Sequence, residues 1–280
     1  MKNKILKIAI VGKTNAGKST LINNIIGEKI SIQNKKINTT QDLIIGIKNI
    51  GKNQILFYDT PGSNFLKSLN TQSKKLKINL WSGIDESDLI LYLIDSQFIN
   101  LSFLFDQLEK IKEVKKKIII IFNKIDLKES KHLLPIITQI NNKYEIDSFF
   151  NISAKNNIGV DGLLNYLLNF SYDSSWIYNE DEISNKDDKF IINELLRETI
   201  LTYLHKEIPY NVDLNTTYYK VLKNNDIKIK QKIIINEKRY KKIILGKKGE
   251  MIKAIREDCQ KKMSIILKAK VHLYLEIINS

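Results

Sequence analysis

Two hydrophobic patterns alternate along the first 170 residues of this chain. Short runs rich in β-branched residues are typical of buried strands, and they alternate with stretches in which apolar residues recur at helical spacing. The predicted strands are Ile5–Val11, Leu43–Ile50, Gln54–Tyr58, Leu89–Ile94, Lys117–Phe122 and Ser148–Ile152. Helices are predicted near Lys18–Ile26, Thr71–Ser82, Leu101–Lys112, Lys131–Asn142 and Val160–Asn169. This order predicts an α/β domain with a mainly parallel sheet and helices on both faces.

The pattern changes after Phe170. Residues 172–187 are rich in Ser, Asp, Glu and Asn and have little apolar periodicity, so we interpret them as a linker, in which Trp176 and Ile177 could pack against a neighbouring domain. The remaining residues predict the order α-β-β-α-α-β, with a helix from about Asp188 to Lys206, strands near Val212–Leu222 and Ile227–Ile235, two helices flanking Gly246–Gly249, and a strand near Val271–Ile278. We therefore expect one domain over residues 1–171 and an α+β domain over 188–280.

Composition is compatible with two packed cores, because 43% of the 280 residues are hydrophobic. The single cysteine, Cys259, excludes an intramolecular disulfide and suits a reducing cytoplasm. The first residues lack the pattern of a signal peptide, and no apolar run approaches the roughly 20 residues that a membrane-spanning helix needs. We therefore expect a cytoplasmic protein.

The charge of the chain is strongly positive and unevenly distributed. The formal net charge is +14, and residues 190–280 carry 19 Lys and Arg against 10 Asp and Glu. A surface of this sign attracts RNA, DNA or anionic lipid headgroups. Charge alone does not choose between these partners.

A glycine-rich segment follows the first predicted strand and opens the first predicted helix, the context that a G-x-x-x-x-G-K-[ST] phosphate loop requires. Its backbone N–H groups and the helix N-terminus favour a bound phosphate. Within it, Lys18 would neutralise the β- and γ-phosphates and Ser19 would ligate Mg²⁺. The predicted nucleotide contacts from this segment are Gly12, Lys13, Thr14, Asn15, Ala16, Gly17, Lys18, Ser19 and Thr20.

A D-x-x-G segment follows the third predicted strand, as Asp59-Thr60-Pro61-Gly62. Such a segment alone is a common turn. After a phosphate loop and a strand it places the Asp59 carboxylate near the metal, which we expect it to bind through water. The Gly62 N–H would then lie where a γ-phosphate could be sensed.

Base recognition is predicted at the ends of two later strands. The Asp126 carboxylate of Asn123-Lys124-Ile125-Asp126 can accept hydrogen bonds from N1–H and the 2-amino group of guanine, donors that adenine does not offer. Lys124 would pack along the base, and Asn123 would tie this loop to the phosphate loop. In Ser153-Ala154-Lys155, we expect the Ala154 N–H to reach the guanine carbonyl.

The second domain contains a G-x-x-G loop between two predicted amphipathic helices. Both variable positions are lysine, in Gly246-Lys247-Lys248-Gly249. Loops of this kind let KH domains clamp about four nucleotides of single-stranded RNA. The loop could alternatively be only a helix cap. The basic surroundings favour RNA, with further candidate contacts at Lys253, Arg239, Lys241 and Lys242.

These motifs, in this order, resemble the Era-like ribosome-assembly GTPases of the TrmE-Era-EngA-like superfamily, and the resemblance covers nearly the whole chain. It implies a P-loop GTPase domain followed by a type II KH domain. It also implies GTP hydrolysis with Mg²⁺. The protein would be a monomer that binds the 3′ region of small-subunit rRNA during assembly of the small ribosomal subunit. The Thr39-Thr40 pair matches the effector loop of this family, so that Thr40 would complete the Mg²⁺ shell.

Two positions depart from the family pattern. Thr14 replaces a proline, and Ser63 replaces the bulky apolar residue that follows D-T-P-G; the water-orienting Gln of Ras-like enzymes is also absent there. We therefore expect slow hydrolysis stimulated by K⁺, for which the resemblance suggests Asn15 as ligand. The predicted catalytic residues are Lys18, Asn15, Thr40 and Gly62, and the predicted metal ligands are Ser19, Thr40 and Asp59.

A non-enzymatic alternative remains open at this point. In it, nucleotide is a structural ligand and the chain tethers RNA or a membrane surface, with peripheral contact at the inner face of the cell membrane. The sequence ends at Ser280, whereas Era-like proteins usually continue into a helical tail. We therefore do not transfer RNA contacts of that tail to this chain.

Overall fold

The computed structural model of the chain describes residues 2–28, 30, 43–63, 71–127, 132–204 and 212–279. These residues form two compact units, Met1–Asn185 and Lys186–Ser280. The predicted effector residues Thr39 and Thr40 lie outside the described residues, as does Lys206 at the predicted end of the first helix of the second unit.

The first unit alternates strands and helices in the predicted order. The strands are β1 (Lys4–Gly12), β2 (Ile44–Ile50), β3 (Asn53–Asp59), β4 (Leu89–Asp95), β5 (Lys117–Asn123), β6 (Ser148–Asn151) and β7 (Tyr172–Asp173). The helices are α1 (Lys18–Ile26), α2 (Thr71–Glu86), α3 (Leu101–Lys112), α4 (Leu133–Asn141) and α5 (Val160–Leu167).

The sheet of this unit has the strand order β2-β3-β1-β4-β5-β6, and β7 pairs with the start of β1. All pairs along the main path are parallel except β2–β3. Strands covered on both faces need near-continuous apolar sequence, as in β5, where every residue from Ile118 to Asn123 is buried. The predicted mainly parallel sheet is confirmed. Its parallel strands bring their carboxyl ends to one edge.

Helices cover both faces of this sheet. Leucine and isoleucine side chains of α2, α3 and α4 form one buried cluster with β1, β4 and β5. On the other face, α1 packs so closely on β2 that a Cβ added to Gly46 would stand 2.8 Å from Ile22 Cγ2. The helix that follows the first glycine-rich loop is thereby held against the sheet.

The predicted linker belongs largely to the first unit, which extends to Asn185 rather than ending at residue 171. Gln54, fully buried in β3, accepts hydrogen bonds at Oε1 from the N–H groups of Ile177 (2.9 Å) and Tyr178 (3.0 Å) and donates through Nε2 to the Tyr178 carbonyl (2.9 Å). The Ile47 N–H of β2 donates to the Ile183 carbonyl at 2.9 Å. Because this segment docks mainly through backbone groups, it needs no apolar periodicity.

The second unit has the predicted α-β-β-α-α-β order. Its elements are α6 (Asp188–Tyr203), β8 (Val212–Val221), β9 (Ile227–Ile235), α7 (Lys238–Leu245), α8 (Glu250–Ile266) and β10 (Val271–Asn279). The sheet order is β10-β9-β8, with β8 antiparallel and β10 parallel to β9. Apolar side chains from the three helices and one face of the sheet form its core, which includes Ile192, Leu196, Ile200, Ile229, Ile233, Ile255 and Cys259.

Among the described residues, no helix is both long and apolar enough to span a membrane.

Candidate functional site

The phosphate loop connects β1 to α1 at the carboxyl edge of the sheet. Lys18 is buried at the start of α1, and its Nζ donates to the carbonyls of Gly12 and Lys13, both at 3.0 Å. Burial lowers the pKa of Lys18 to about 8, and the Asp59 carboxylate offsets part of that shift. The loop therefore encloses a cation that lacks the stabilisation of bulk water, which favours an anionic ligand.

The D-T-P-G segment meets this loop directly. Ser19 donates its hydroxyl hydrogen bond to Asp59 Oδ2 at 2.8 Å, and Asp59 is fully buried at the end of β3. Thr60 anchors the segment by donating from Oγ1 to the Ile10 carbonyl at 2.7 Å. A Cβ added to Gly62 would stand 2.8 Å from the Thr14 backbone nitrogen. Only glycine allows this close approach of the two loops.

Asn123 connects two further loops. It is 2% exposed at the end of β5; Nδ2 donates to the Ala16 carbonyl at 2.8 Å, and Oδ1 accepts from the Ala154 N–H at 2.9 Å. The predicted tie to the phosphate loop is present. The Ala154 N–H, which we expect to reach the guanine carbonyl, donates to Asn123 in this structure. A Cβ on Gly17 would stand 2.1 Å from Asn123 Nδ2, so glycine is also required there.

Lys124 has a partner that the sequence did not predict. Its Nζ lies 2.6 Å from Asp95 Oδ2, at the end of β4, and its backbone has a φ of 65°. Asp95 could have been proposed from topology, since it ends a parallel strand beside β5. Asp126 lies in a short 3-10 helix, Ile125–Leu127, and is exposed. The pairing holds Lys124 in place while Asp126 remains accessible.

The other predicted nucleotide contacts lie at the same edge. Asn15 is exposed and has a φ of 68° at the tip of the phosphate loop. Ser153 is buried and its Oγ accepts from the Asn156 N–H at 3.2 Å, which closes the turn that contains Lys155. Ser63, next after D-T-P-G, is 1% exposed. The structure thus brings all the described nucleotide-site residues to one edge of the sheet.

A cavity of about 410 Å³ opens beside the phosphate loop. It lies between the loop and the β4–α3 connection, and its lining includes Lys13, Thr14, Asn15, Asp95, Phe103 and Lys124. Lys13 Nζ lies 4.1 Å from the centroid of the Phe103 ring. The sequence did not predict this cavity because its wall comes from β4, the start of α3 and the residue that follows β5, which are distant in sequence from the phosphate loop.

The second unit presents the predicted G-x-x-G loop at the surface. Gly246 ends α7 with φ 71° and ψ −175°, and a Cβ there would stand 2.5 Å from Met251 Cβ. Gly249 precedes α8 with a φ of 81°. Both therefore need glycine for conformation, and Gly246 also for space. Lys247 and Lys248 between them are exposed.

The surrounding cations are all exposed, and they differ in their contacts. Lys241, Lys242 and Lys253 are exposed. Arg239 is also exposed, but it makes an ion pair with Glu237, with 2.6 Å between Nε and Oε2, and lies over the Tyr240 ring at 5.0 Å. The lysines are therefore better candidate anion contacts than Arg239.

Comparisons with known proteins agree with this two-unit organisation. A family model described as 50S ribosome-binding GTPase matches residues 7–124, and one described as KH domain matches residues 202–280. GTPase Era of Agrobacterium fabrum is 37% identical over 96% of this chain and 84% of its own length. GTPase Era of Rickettsia conorii is 36% identical over 97% of this chain and 79% of its own length.

Solved structures of Era are similar along the entire chain. Era in complex with MgGDPNP and nucleotides 1506–1542 of 16S ribosomal RNA matches 99% of this chain and 94% of its own, with a TM-score of 0.88 and 31% identity. A variant of Aquifex aeolicus Era bound to GDP and AlF4⁻ matches 100% of this chain and 94% of its own, with the same TM-score and identity. A phosphate loop, an N-K-x-D segment and a KH unit in one chain, with this similarity over nearly its full length, lead to one conclusion: the protein belongs to the Era family of GTPases.

Proposed function

We propose that this GTPase is a nucleotide-controlled RNA-binding switch that assists assembly of the small ribosomal subunit through the 3′ region of its rRNA. The observation that carries the proposal is the joining of four loops in one hydrogen-bonded site, by Ser19 with Asp59 and by Asn123 with Ala16 and Ala154, in a chain that also exposes a G-x-x-G loop. The solved complex of Era with MgGDPNP and a 16S rRNA fragment supports it.

The nucleotide would bind across the carboxyl edge of the first sheet. Backbone N–H groups of residues 12–20 would contact the phosphates, and Lys18 would place its ammonium group against them. Guanine would lie over Lys124 and pair with the exposed Asp126 carboxylate. Since the Ala154 N–H is donated to Asn123, discrimination against adenine would rest mainly on Asp126.

Ser19 and Asp59 fit a Mg²⁺ site. They supply a hydroxyl and a carboxylate oxygen, the hard donors that Mg²⁺ prefers, at a point next to the buried Lys18. Asp59 would act through water and Thr40, outside the described residues, would complete the shell. Bound Mg²⁺ would neutralise charge on the β- and γ-phosphates. The chain's own contribution is to hold Ser19 Oγ 2.8 Å from Asp59 Oδ2.

Hydrolysis in this site would depend on backbone positioning and on a monovalent cation. Ser63 is buried and offers no amide or carboxylate group to orient water, whereas Gly62 lies directly against Thr14. Asn15, exposed at the loop tip, is our proposed K⁺ ligand. GTP turnover should therefore be faster in KCl than in NaCl for the unaltered protein and equal in both salts for Asn15→Ala. Equal rates in the unaltered protein would exclude a role for K⁺.

RNA binding is proposed at the G-x-x-G loop, where the backbone is open and two lysines are exposed. The affinity for a single-stranded RNA of the small-subunit 3′ sequence would be measured with a GTP analogue and with GDP at one salt concentration. We expect tighter binding with the GTP analogue and loss of binding in Lys247→Asp/Lys248→Asp. Lys52→Asp/Lys112→Asp, an equal charge change at exposed lysines of the first unit, is the control.

Identical affinities with both nucleotides would refute the switch, and equal losses in the test and control variants would reduce RNA binding to nonspecific charge. The same proposal places a monomer in the cytoplasm, with charge-dependent contact at the inner face of the membrane. That contact predicts sedimentation with anionic vesicles at low salt and none at high salt.

A further inference from the structure

The sheet of the KH unit has one face that its helices do not cover. Residues of the covered face, such as Ile229, Gln231 and Ile233, alternate along β9 with residues whose side chains are on the other face. We define the open sheet face by its aromatic and cationic side chains, which are Tyr218, Lys220, Lys228, Lys230, His272 and Tyr274.

These side chains are in register across the three strands. Tyr218 of β8 and Tyr274 of β10 both pair with Lys230 of β9, which places one tyrosine on each side of a central lysine. We call such a row of paired residues across the three strands a rung. The next rung on this face, two residues earlier along β9, contains Lys220, Lys228 and His272. Neighbouring strands lie about 4.8 Å apart, so the two tyrosines stand about 10 Å apart across the sheet.

Both tyrosines are accessible. Tyr218 is 39% exposed and Tyr274 is 52% exposed. A β-bulge between Thr216 and Tyr218 moves Tyr218 onto the same face as Lys230, because it shifts the alternation of β8 by one residue. Without this bulge, Tyr218 would point into the core, so the bulge itself builds the aromatic pair.

The charge on this face is positive. The two rungs contain three lysines, and the acidic group described beside them is Asp226, which lies 2.7 Å from His272 Nε2. The ion pair of Lys232 with Glu276, at 3.9 Å, lies on the other side of the Lys230 row, away from Lys228. Lysines among exposed aromatic rings suit a ligand that has both flat apolar rings and negative charges.

The lysines already contact the tyrosine rings. Lys228 Nζ lies 5.3 Å from the Tyr274 centroid, and Lys230 Nζ lies 5.7 Å from the Tyr218 centroid. A cation over an exposed ring is held more weakly than a stacked base. A base could therefore replace each ammonium group over its ring, and the displaced ammonium group could then pair with a phosphate.

We propose that the open sheet face is a second single-stranded RNA site, on which bases stack on Tyr218 and Tyr274 while phosphates contact Lys220, Lys228 and Lys230. The inference rests on the proposed RNA binding of the KH unit, in which the G-x-x-G loop holds a different segment of about four nucleotides. It adds a contact that only a longer RNA can make.

The test compares two RNA lengths and two double variants of the full-length protein. The short probe has about four nucleotides and the long probe is about three times longer. Tyr218→Thr/Tyr274→Thr removes both rings and keeps residues suited to strands, whereas Tyr218→Phe/Tyr274→Phe retains the rings. We expect the Thr variant to bind the long probe at least about tenfold more weakly, with unchanged affinity for the short probe, and the Phe variant to bind both normally.

Ultraviolet crosslinking of the long probe, followed by peptide mapping, gives an independent readout and should locate crosslinks at Tyr218 or Tyr274. Equal affinity of the Thr variant for the long probe, or preferential binding of duplex RNA at this face, would overturn the proposal. If the unaltered protein binds neither probe, the proposed RNA function itself fails. If Lys247→Asp/Lys248→Asp abolishes short-probe binding while the Thr variant is normal with both, only the second site fails.

Discussion

Asn123 is the residue whose removal should most directly show that the nucleotide site is one connected structure. Its amide makes hydrogen bonds of 2.8 Å and 2.9 Å to backbone groups in two different loops, and the side chain is 2% exposed. Asn123→Ala leaves the Ala16 carbonyl and the Ala154 N–H without these partners. A buried polar group that loses its partner costs about 1–3 kcal/mol.

For two such groups the total cost is at most about 2–6 kcal/mol, and it is smaller if water enters the space left by the amide. We expect about 2–4 kcal/mol of this to appear as weaker nucleotide binding, since both loops contact the nucleotide in our proposal. That corresponds to a GDP affinity lower by about 30-fold to 1,000-fold.

The assay is a titration of a fluorescent GDP analogue, combined with urea unfolding of the nucleotide-free protein. The second measurement separates lost affinity from lost folding, because a ligand stabilises only the folded state that binds it. Asn53→Ala is the matched control; Asn53 lies at the opposite end of the sheet and donates one 3.3 Å hydrogen bond to the Ile50 carbonyl. A folded Asn123→Ala protein with unchanged GDP affinity would refute the connected-site argument.

Three further predictions concern single side chains. The pKa of Lys18 is lowered to about 8, and a bound phosphate favours the protonated form of this side chain. GDP affinity, measured by titration, should therefore fall by up to about tenfold per pH unit above pH 8. Lys18→Gln should bind GDP weakly and without this pH dependence. Gln54→Leu should lower the free energy of unfolding by about 2–4 kcal/mol. It should also accelerate hydrogen exchange at the N–H groups of Ile177 and Tyr178. Unchanged exchange would contradict the docking of this segment on β3. Gly246→Ala should lower the melting temperature more than Gly249→Ala, because only at Gly246 would the added Cβ stand 2.5 Å from Met251 Cβ. Equal decreases in melting temperature would contradict a contribution from this contact and leave backbone strain as the sole cause of the destabilisation.

The fold was predictable because its elements have local sequence patterns. The β-branched run Ile118–Phe122 could be buried on both faces only as a central strand, and it is β5. The segment 174–185 was not recognised as part of the first unit, since its contacts are backbone hydrogen bonds to residues such as Gln54, 124 positions from Tyr178. Contacts of that kind have no periodicity along the chain.

The site divides in the same way. The phosphate-loop, D-T-P-G, N-K-I-D and G-K-K-G segments are recognisable in the sequence alone, because glycine conformations and charged groups at short fixed spacing are local properties. Three features are visible only in the packed structure: Asp95 pairs with Lys124, Asn123 accepts from the Ala154 N–H, and Tyr218 and Tyr274 share a face. Each of these depends on strand order, register or a bulge, which arise when distant segments pack together.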